Sequence, residues 1–261
     1  MGAVNSHMGA RWTFGSRMPR AGSPAIAAYF RDYYDKVLLV DPENLIGYWT
    51  LSEPTGATTA EDESGQDNTG TYSNVTLEAD GISDGLTGAS FNGNSSYVNI
   101  YSAALNSDFD GAEGALLIWG RVANANVWTD STERVLAKLA ADADNLVRLY
   151  RSSTNNTLGW EYKAGGTSKI VTLGSLSDTE YMQLLITWSV AADEVRAYRN
   201  GVQVGTTQTG LGTWAGSLSA TLCALGAANT TPENVWNGLL AHAALWTAPL
   251  DEAEADYLAA P

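Results

Sequence analysis

The sequence predicts an all-β fold, two antiparallel sheets stacked as a sandwich, on three observations. Strand-like runs recur at close spacing: ALLIWGRV (115–122), NLVRLYRS (145–152), TLGWEYKAG (157–165), YMQLLITWSV (181–190) and EVRAYRNGVQVG (194–205). Gly, Asn, Asp and Ser clusters separate them, and no helical stretch intervenes to carry a parallel crossover. In RNGVQ, Asn200-Gly201 stands between two alternating segments, the dipeptide that suits the positive φ angles of a two-residue hairpin turn.

The remaining elements lie at the ends. Residues 1–24 mix Gly, Ser, Pro, Arg and Met without periodicity. Residues 25–38 (AIAAYFRDYYDKVL) carry apolar side chains at helical spacing and predict a short helix leading into the main domain. APLDEAEADYLAAP predicts a closing helix, with Asp251, Glu252 and Glu254 in the first turn, where the helix dipole favours negative charge. Residues 1–43 therefore read as an arm with a helix, and 44–261 as the sandwich.

Composition narrows the class. At 261 residues, 44% hydrophobic and 10% aromatic, the chain can bury a large core. No apolar run approaches the length of a membrane span, and the N-terminus lacks the continuous apolar segment of a secretory signal. The single cysteine, Cys223, excludes an intrachain disulfide and a cysteine-based zinc site; its context, SATLCALG, is that of a small core residue.

Charge is segregated. Residues 1–31 contain Arg11, Arg17, Arg20 and Arg31 and no Asp or Glu, hence +4; against a total of −15, the other 230 residues carry −19. Such a body repels nucleic acid and anionic membranes. A basic arm beside it is suited to docking on that body or on a sister subunit's, which predicts a homo-oligomer.

Six segments in order resemble the laminin-G-like domains of the concanavalin A-like lectin/glucanase superfamily: LIGYWTLSE, EDESGQDNTGTYSNVTL, GASFNGNSSYVNI, EGALLIWGRV, LLITWSVAADEVRAYRNGVQVG and NGLLAHAALWTAPLDEAEADYLAA. The resemblance spans roughly residues 44–260 and implies a jelly-roll sandwich with one concave sheet. The lead-in AYFRDYYDKVLLVDPENLIGYWTLSE is similar to the start of this module in phage structural proteins. That likeness implies a virion component, either capsid decoration or a tail or fibre part, whose arm contacts other virion proteins or sister subunits. Two alternatives stand beside it: a secreted or surface carbohydrate-binding module of a bacterium, and an atypical glycoside hydrolase. The virion reading expects association to be lost on removal of residues 1–36.

Catalytic signatures are missing from the sequence. Glycosidases of the superfamily carry alternating carboxylates on one strand, which a retaining mechanism needs on one face. The acidic clusters here, Glu61-Asp62-Glu63 and Asp251 to Asp256, fall in a loop and on a helix. His7 lies in the arm, and His242, in LLAHAALW, reads as a core histidine. The expectation is a non-enzyme. In EDESGQDNTG the Asp and Asn side chains suit a turn; because several family members bind calcium through loop oxygens, Asp62, Asp67 and Asn68 are the alternative metal ligands.

Strand alternation supplies candidates for sugar or partner binding. Arg148 and Tyr150 share one side of their strand, as do Trp160 and Tyr162, and Arg196 and Tyr198; together they predict one amphipathic binding face. On this reading Trp160→Ala weakens glycan binding and leaves the fold intact. Trp119 and Trp188 are assigned to packing, and Trp128, Trp214 and Trp236 to the rim.

Overall fold

The structure, a computed structural model, describes residues 33–261. Its strands form two antiparallel sheets of eight. The first runs β14 (Val202–Gln208), β13 (Glu194–Arg199), β12 (Met182–Ser189), β7 (Glu113–Val122), β16 (Asn237–Trp246), β5 (Gly88–Asn92) and β4 (Thr76–Ala79), with β1 (Leu45–Trp49) also paired to β16. The second runs β11 (Thr167–Leu173), β10 (Leu158–Ala164), β9 (Leu146–Arg151), β8 (Arg134–Ala140), β15 (Ala224–Leu225), β6 (Tyr97–Asn99), β3 (Gly70–Ser73) and β2 (Thr59–Ala60).

Period-two alternation builds the core between the sheets. Leu116 and Ile118 of β7 and Leu184, Ile186 and Trp188 of β12 face Val147 and Leu149 of β9 and Trp160 and Tyr162 of β10. The other side of the first sheet is apolar too. Ala115, Leu117, Trp119, Leu185 and Tyr198 form a second buried cluster with Tyr33 and Val37 of α1 (Tyr33–Leu39) and with Leu250, Ala255 and Leu258, in or beside α3 (Glu252–Tyr257). Among the described residues, no helix is long and apolar enough to cross a membrane.

Local chemistry accounts for the elements. Asn200 and Gly201 adopt φ of 50° and 76°, the predicted hairpin turn. Gly201 is also held by space, because a Cβ there would lie 2.9 Å from Asp256 Cα of α3. Asp251 caps α3: its carboxylate accepts the Glu254 N–H at 2.9 Å, and Glu254 accepts the Asp251 N–H at 2.8 Å. A third helix, α2 (Ala103–Asp108), is capped by Ser102, whose Oγ accepts the Leu105 N–H at 2.8 Å. The predicted helix over 25–38 is described only from Tyr33, and α1 packs on the sandwich within one compact unit that begins at Asp32.

In β16 the pairing with β7 shifts between Ala241 and Ala244, and His242 takes φ of 45°. This bulge inserts one residue, so Leu240, Ala243 and Leu245 face the inter-sheet core while Ala241, Ala244 and Trp246 face the helix side. His242 is fully buried there, as expected of a core histidine. Its Nδ1 lies 2.7 Å from the Tyr48 hydroxyl and its Nε2 lies 2.9 Å from Asp84 Oδ2. Burial pushes the Asp84 carboxyl up, but the bond and charge of His242 and the Leu86 N–H outweigh it, so its pKa falls below the ordinary range.

Tyr33 closes this polar chain, its ring edge-on to Trp119 at 5.6 Å and to His242 at 4.8 Å. Tyr33→Ala should lower unfolding free energy in urea by about 3–5 kcal/mol, the cost of emptying a buried aromatic site. A change under about 0.5 kcal/mol, the range of an ordinary surface substitution, would show that α1 does not seal the sheet.

Candidate functional site on the open sheet

Helices α1 and α3 cover the outer side of the first sheet, which leaves the outer side of the second as the accessible sheet face among the described residues. Register aligns one row across its strands: Glu161 (β10), Arg148 (β9), Lys138 (β8), Ala224 (β15), Asn99 (β6) and Thr71 (β3). These six positions are polar except at Ala224, which is buried, and on β11 the row ends at the exposed Ile170.

Arg148 organises the row. Its Nε donates to Glu161 Oε2 at 2.6 Å and an Nη donates to Glu133 Oε1 at 2.9 Å. Ser168 donates to the other Glu161 oxygen at 2.7 Å, and Asn234 donates to Glu133 at 3.0 Å. The guanidinium also stacks 4.1 Å from the Tyr150 ring centroid. Tyr150 lies flat over Gly159, where a Cβ would come within 2.5 Å of the ring; the glycine makes the stack possible. Burial pulls the Arg148 pKa down, but the charges of Glu161 and Glu133 outweigh it and the net shift is upward.

The six predicted face residues do not meet. Only Arg148 and Tyr150 lie on the open side. Trp160 and Tyr162 pair with Leu149 and Val147, so they point into the core and are fully buried. Arg196 and Tyr198 belong to the other sheet, where Tyr198 packs in the helix-side cluster. Alternation sorts residues within a strand; the register between strands decides which sides coincide, and that is set by pairing partners far away in sequence.

The rim candidates divide similarly. Trp128 and Trp236 are fully buried, their indoles donating to Asp178 O at 2.7 Å and Leu239 O at 3.3 Å. Trp214 alone is partly exposed, packed edge-on against Phe109 at 5.4 Å. Trp188 lies in the inter-sheet core and Trp119 in the helix-side cluster, both packed as expected. Cys223 is buried.

Elsewhere the loops are tied by arginine rather than arranged for a metal. Asp130 takes bonds from Arg134 Nε at 3.3 Å and Nη2 at 2.7 Å, and stands 3.3 Å from Nη1 of the fully buried Arg151. The arginines also hold the carbonyls of Val235, Thr132 and Trp128. In the acidic loop, Asp62 Oδ1 accepts the Tyr48 and Ser64 N–H groups at 2.8 and 3.0 Å, and Oδ2 accepts Ser64 Oγ and the Asn68 N–H at 2.9 and 2.8 Å. Asn68, fully buried, bonds Ile46 O through its amide and accepts from Ser102. Asp67 holds φ of 59° in an exposed turn. The oxygens of Asp62 and Asn68 are thus bonded within the fold, whereas Asp67 is exposed. No group of three potential metal-ligating side chains occurs among the described residues. Arg11, Arg17, Arg20 and Arg31 lie outside the described residues.

The sandwich, its helix-covered sheet and its open sheet define a lectin-like β-sandwich. The chain belongs to the concanavalin A-like lectin/glucanases superfamily, whose laminin-G-type model matches residues 92–256. Among solved structures it is similar to domain 4 of a Geobacillus stearothermophilus GH43 extracellular arabinanase in complex with arabinotriose (TM-score 0.61, 16% identity, 83% of this chain and 98% of that one). It is also similar to the botulinum neurotoxin serotype D binding domain (TM-score 0.61, 15% identity, 84% and 52%). A third relative in fold is Trypanosoma rangeli sialidase in complex with sialic acid (TM-score 0.62, 10% identity, 90% and 38%). The chain thus spans about half of the toxin domain and less than half of the sialidase. No curated protein matches in sequence.

Two outcomes follow. Trp160→Ala, expected from sequence to spare the fold, should instead cost about 3–5 kcal/mol in a urea titration; a native midpoint would place Trp160 outside the core. For Asp130, burial raises the pKa but bonds from Arg134 and Thr132 N–H and the nearby Arg charges outweigh it, so the native value lies below the ordinary 3.8. A depressed carboxyl stabilises the fold above its unfolded value, and the contribution fades as pH falls through the native one. Asp130→Ala should cost about 2 kcal/mol at pH 7, less than a fully buried pair because Asp130 stays partly in water. The deficit against wild type should shrink below pH 3.8; a pH-independent deficit would contradict the assignment.

Proposed function

We propose that the chain is a non-catalytic attachment protein, a virion component whose sandwich displays the open sheet to a carbohydrate or protein partner. Its basic arm fastens it to the particle or to sister subunits. The observation that carries this reading is the asymmetry of the sandwich: one sheet is covered on both sides, and the other presents a polar row with Arg148 at its centre. Glu161 of that row and Glu133, just before β8, are bonded to the same arginine, an arrangement suited to holding a ligand's hydroxyl groups rather than cleaving a glycosidic bond. The similar arabinanase domain in complex with arabinotriose favours sugar as the ligand class. The phage-like lead-in and the +4 arm favour a virion over a free secreted module.

The test separates arm from sheet. Because Tyr33 of α1 is buried against the first sheet, the cut must spare it and fall after Arg31 rather than at residue 36. Deleting residues 1–31 should leave the sandwich folded, with an unchanged urea midpoint, and abolish particle association or oligomers in analytical ultracentrifugation. A truncated chain that still assembles would refute the arm's role. Turnover of a polysaccharide, lost when Glu161 is replaced by Gln, would refute the non-catalytic reading.

A further inference from the structure

We propose that Lys138 is the recognition point for an acidic sugar, its ammonium taking a ligand carboxylate on the open face of the second sheet. The inference rests on the attachment reading above and names the ligand class of that site.

Three observations carry it. Lys138 and Arg148 are directly opposed across the β8–β9 pair, a like-charge cross-strand arrangement that destabilises a sheet when nothing compensates it. The two neighbouring carboxylates act on Lys138 only through their charge, because the bonds of Glu161 and Glu133 go to Arg148, Ser168 and Asn234. Finally, every other lysine or arginine among the described residues except Lys169 bonds a carboxylate or carbonyl oxygen. Lys138 is thus a half-buried cation with no bonded partner among the described residues, although the chain carries a net charge of −15.

Burial, followed by the Arg148 charge, holds the Lys138 amine below its usual range. An arriving carboxylate relieves both effects: it restores a counter-charge and replaces lost hydration with a charge-assisted bond. Asn99, two strands along the same row, lies about 10 Å away by strand spacing. It offers an amide to hydroxyl groups of a sugar ring seated beside Lys138.

The experiment is calorimetric titration of the full chain with a galacturonic acid oligosaccharide and with its carboxyl-reduced, neutral counterpart. The acidic sugar should bind about tenfold tighter or more. Lys138→Met and Lys138→Gln should erase that difference, and Lys138→Arg should keep it. The urea midpoint of Lys138→Met should be unchanged or higher, since a like-charge pair is removed. Equal affinity for the two sugars, or an acidic preference that survives both neutral variants (as binding through the basic arm would), overturns the inference. Neutral-sugar binding that is lost in Arg148→Ala, together with no acidic preference in the unaltered chain, overturns it while leaving the attachment reading intact. Failure of both sugars to bind removes the inference together with the sugar part of that reading.

Discussion

The burial of the first sheet on both sides is the constraint on which the rest depends. Every residue of β12 is buried, and so is nearly every residue of β7 and β16. An antiparallel sheet usually faces water on one side and shows polar residues there. Here the outer positions are Ala115, Leu117, Trp119 and Leu185 instead, and they demand a cover. The cover is made by α1 and α3, from opposite ends of the described chain, and Lys36 of α1 donates to the Ala260 carbonyl just past α3. Once that side is closed, ligand contact through a sheet has one face left to use.

The same constraint explains the placement of the buried polar groups. A bulge in β16 turns His242 toward the helix side, where its partners Tyr48 and Asp84 meet it. An ionisable pair in such a site contributes little net stability but is costly to break on one side only. It therefore acts as a register pin: a slip of β16 by one residue would bury His242 between the sheets without either partner. Asp130 has a comparable role at the loop end, joining Arg134 of β8 to the buried Arg151 of the neighbouring strand β9.

Much of the fold was legible because its signals are local. The strands, the Asn200-Gly201 turn and the acidic cap of α3 each follow from residues within a few positions of one another. Helix α2 had such a signal as well, Ser102 before a short run of helix formers, but it was hidden among strand-like neighbours. The site was less legible because it depends on pairing. Trp160 and Tyr150 are both aromatic and lie on adjacent strands, yet Trp160 opposes Leu149 and Tyr150 opposes Gly159. Gly159 was the available clue, since a glycine inside a strand marks a close approach of something large. In the acidic loop the turn reading was legible, again from local residues. Asp62 does bind through its carboxylate oxygens, but the donors are backbone N–H groups and a hydroxyl, which shape a turn.

The geometry also bears on how strongly such a face would hold a ligand. A sheet surface engages a sugar from one side only, unlike the deep clefts that enclose small molecules. On the attachment reading, single-site binding is therefore weak, and useful adhesion comes from many copies held together. That division of labour matches the charge pattern in the sequence. The body carries −19 and keeps copies apart in solution through repulsion, and the +4 of residues 1–31 is the segment with the opposite sign. Assembly driven by that segment would weaken as salt rises, because screening acts on exposed charges. The bonded row around Arg148, less exposed to solvent, would keep its shape.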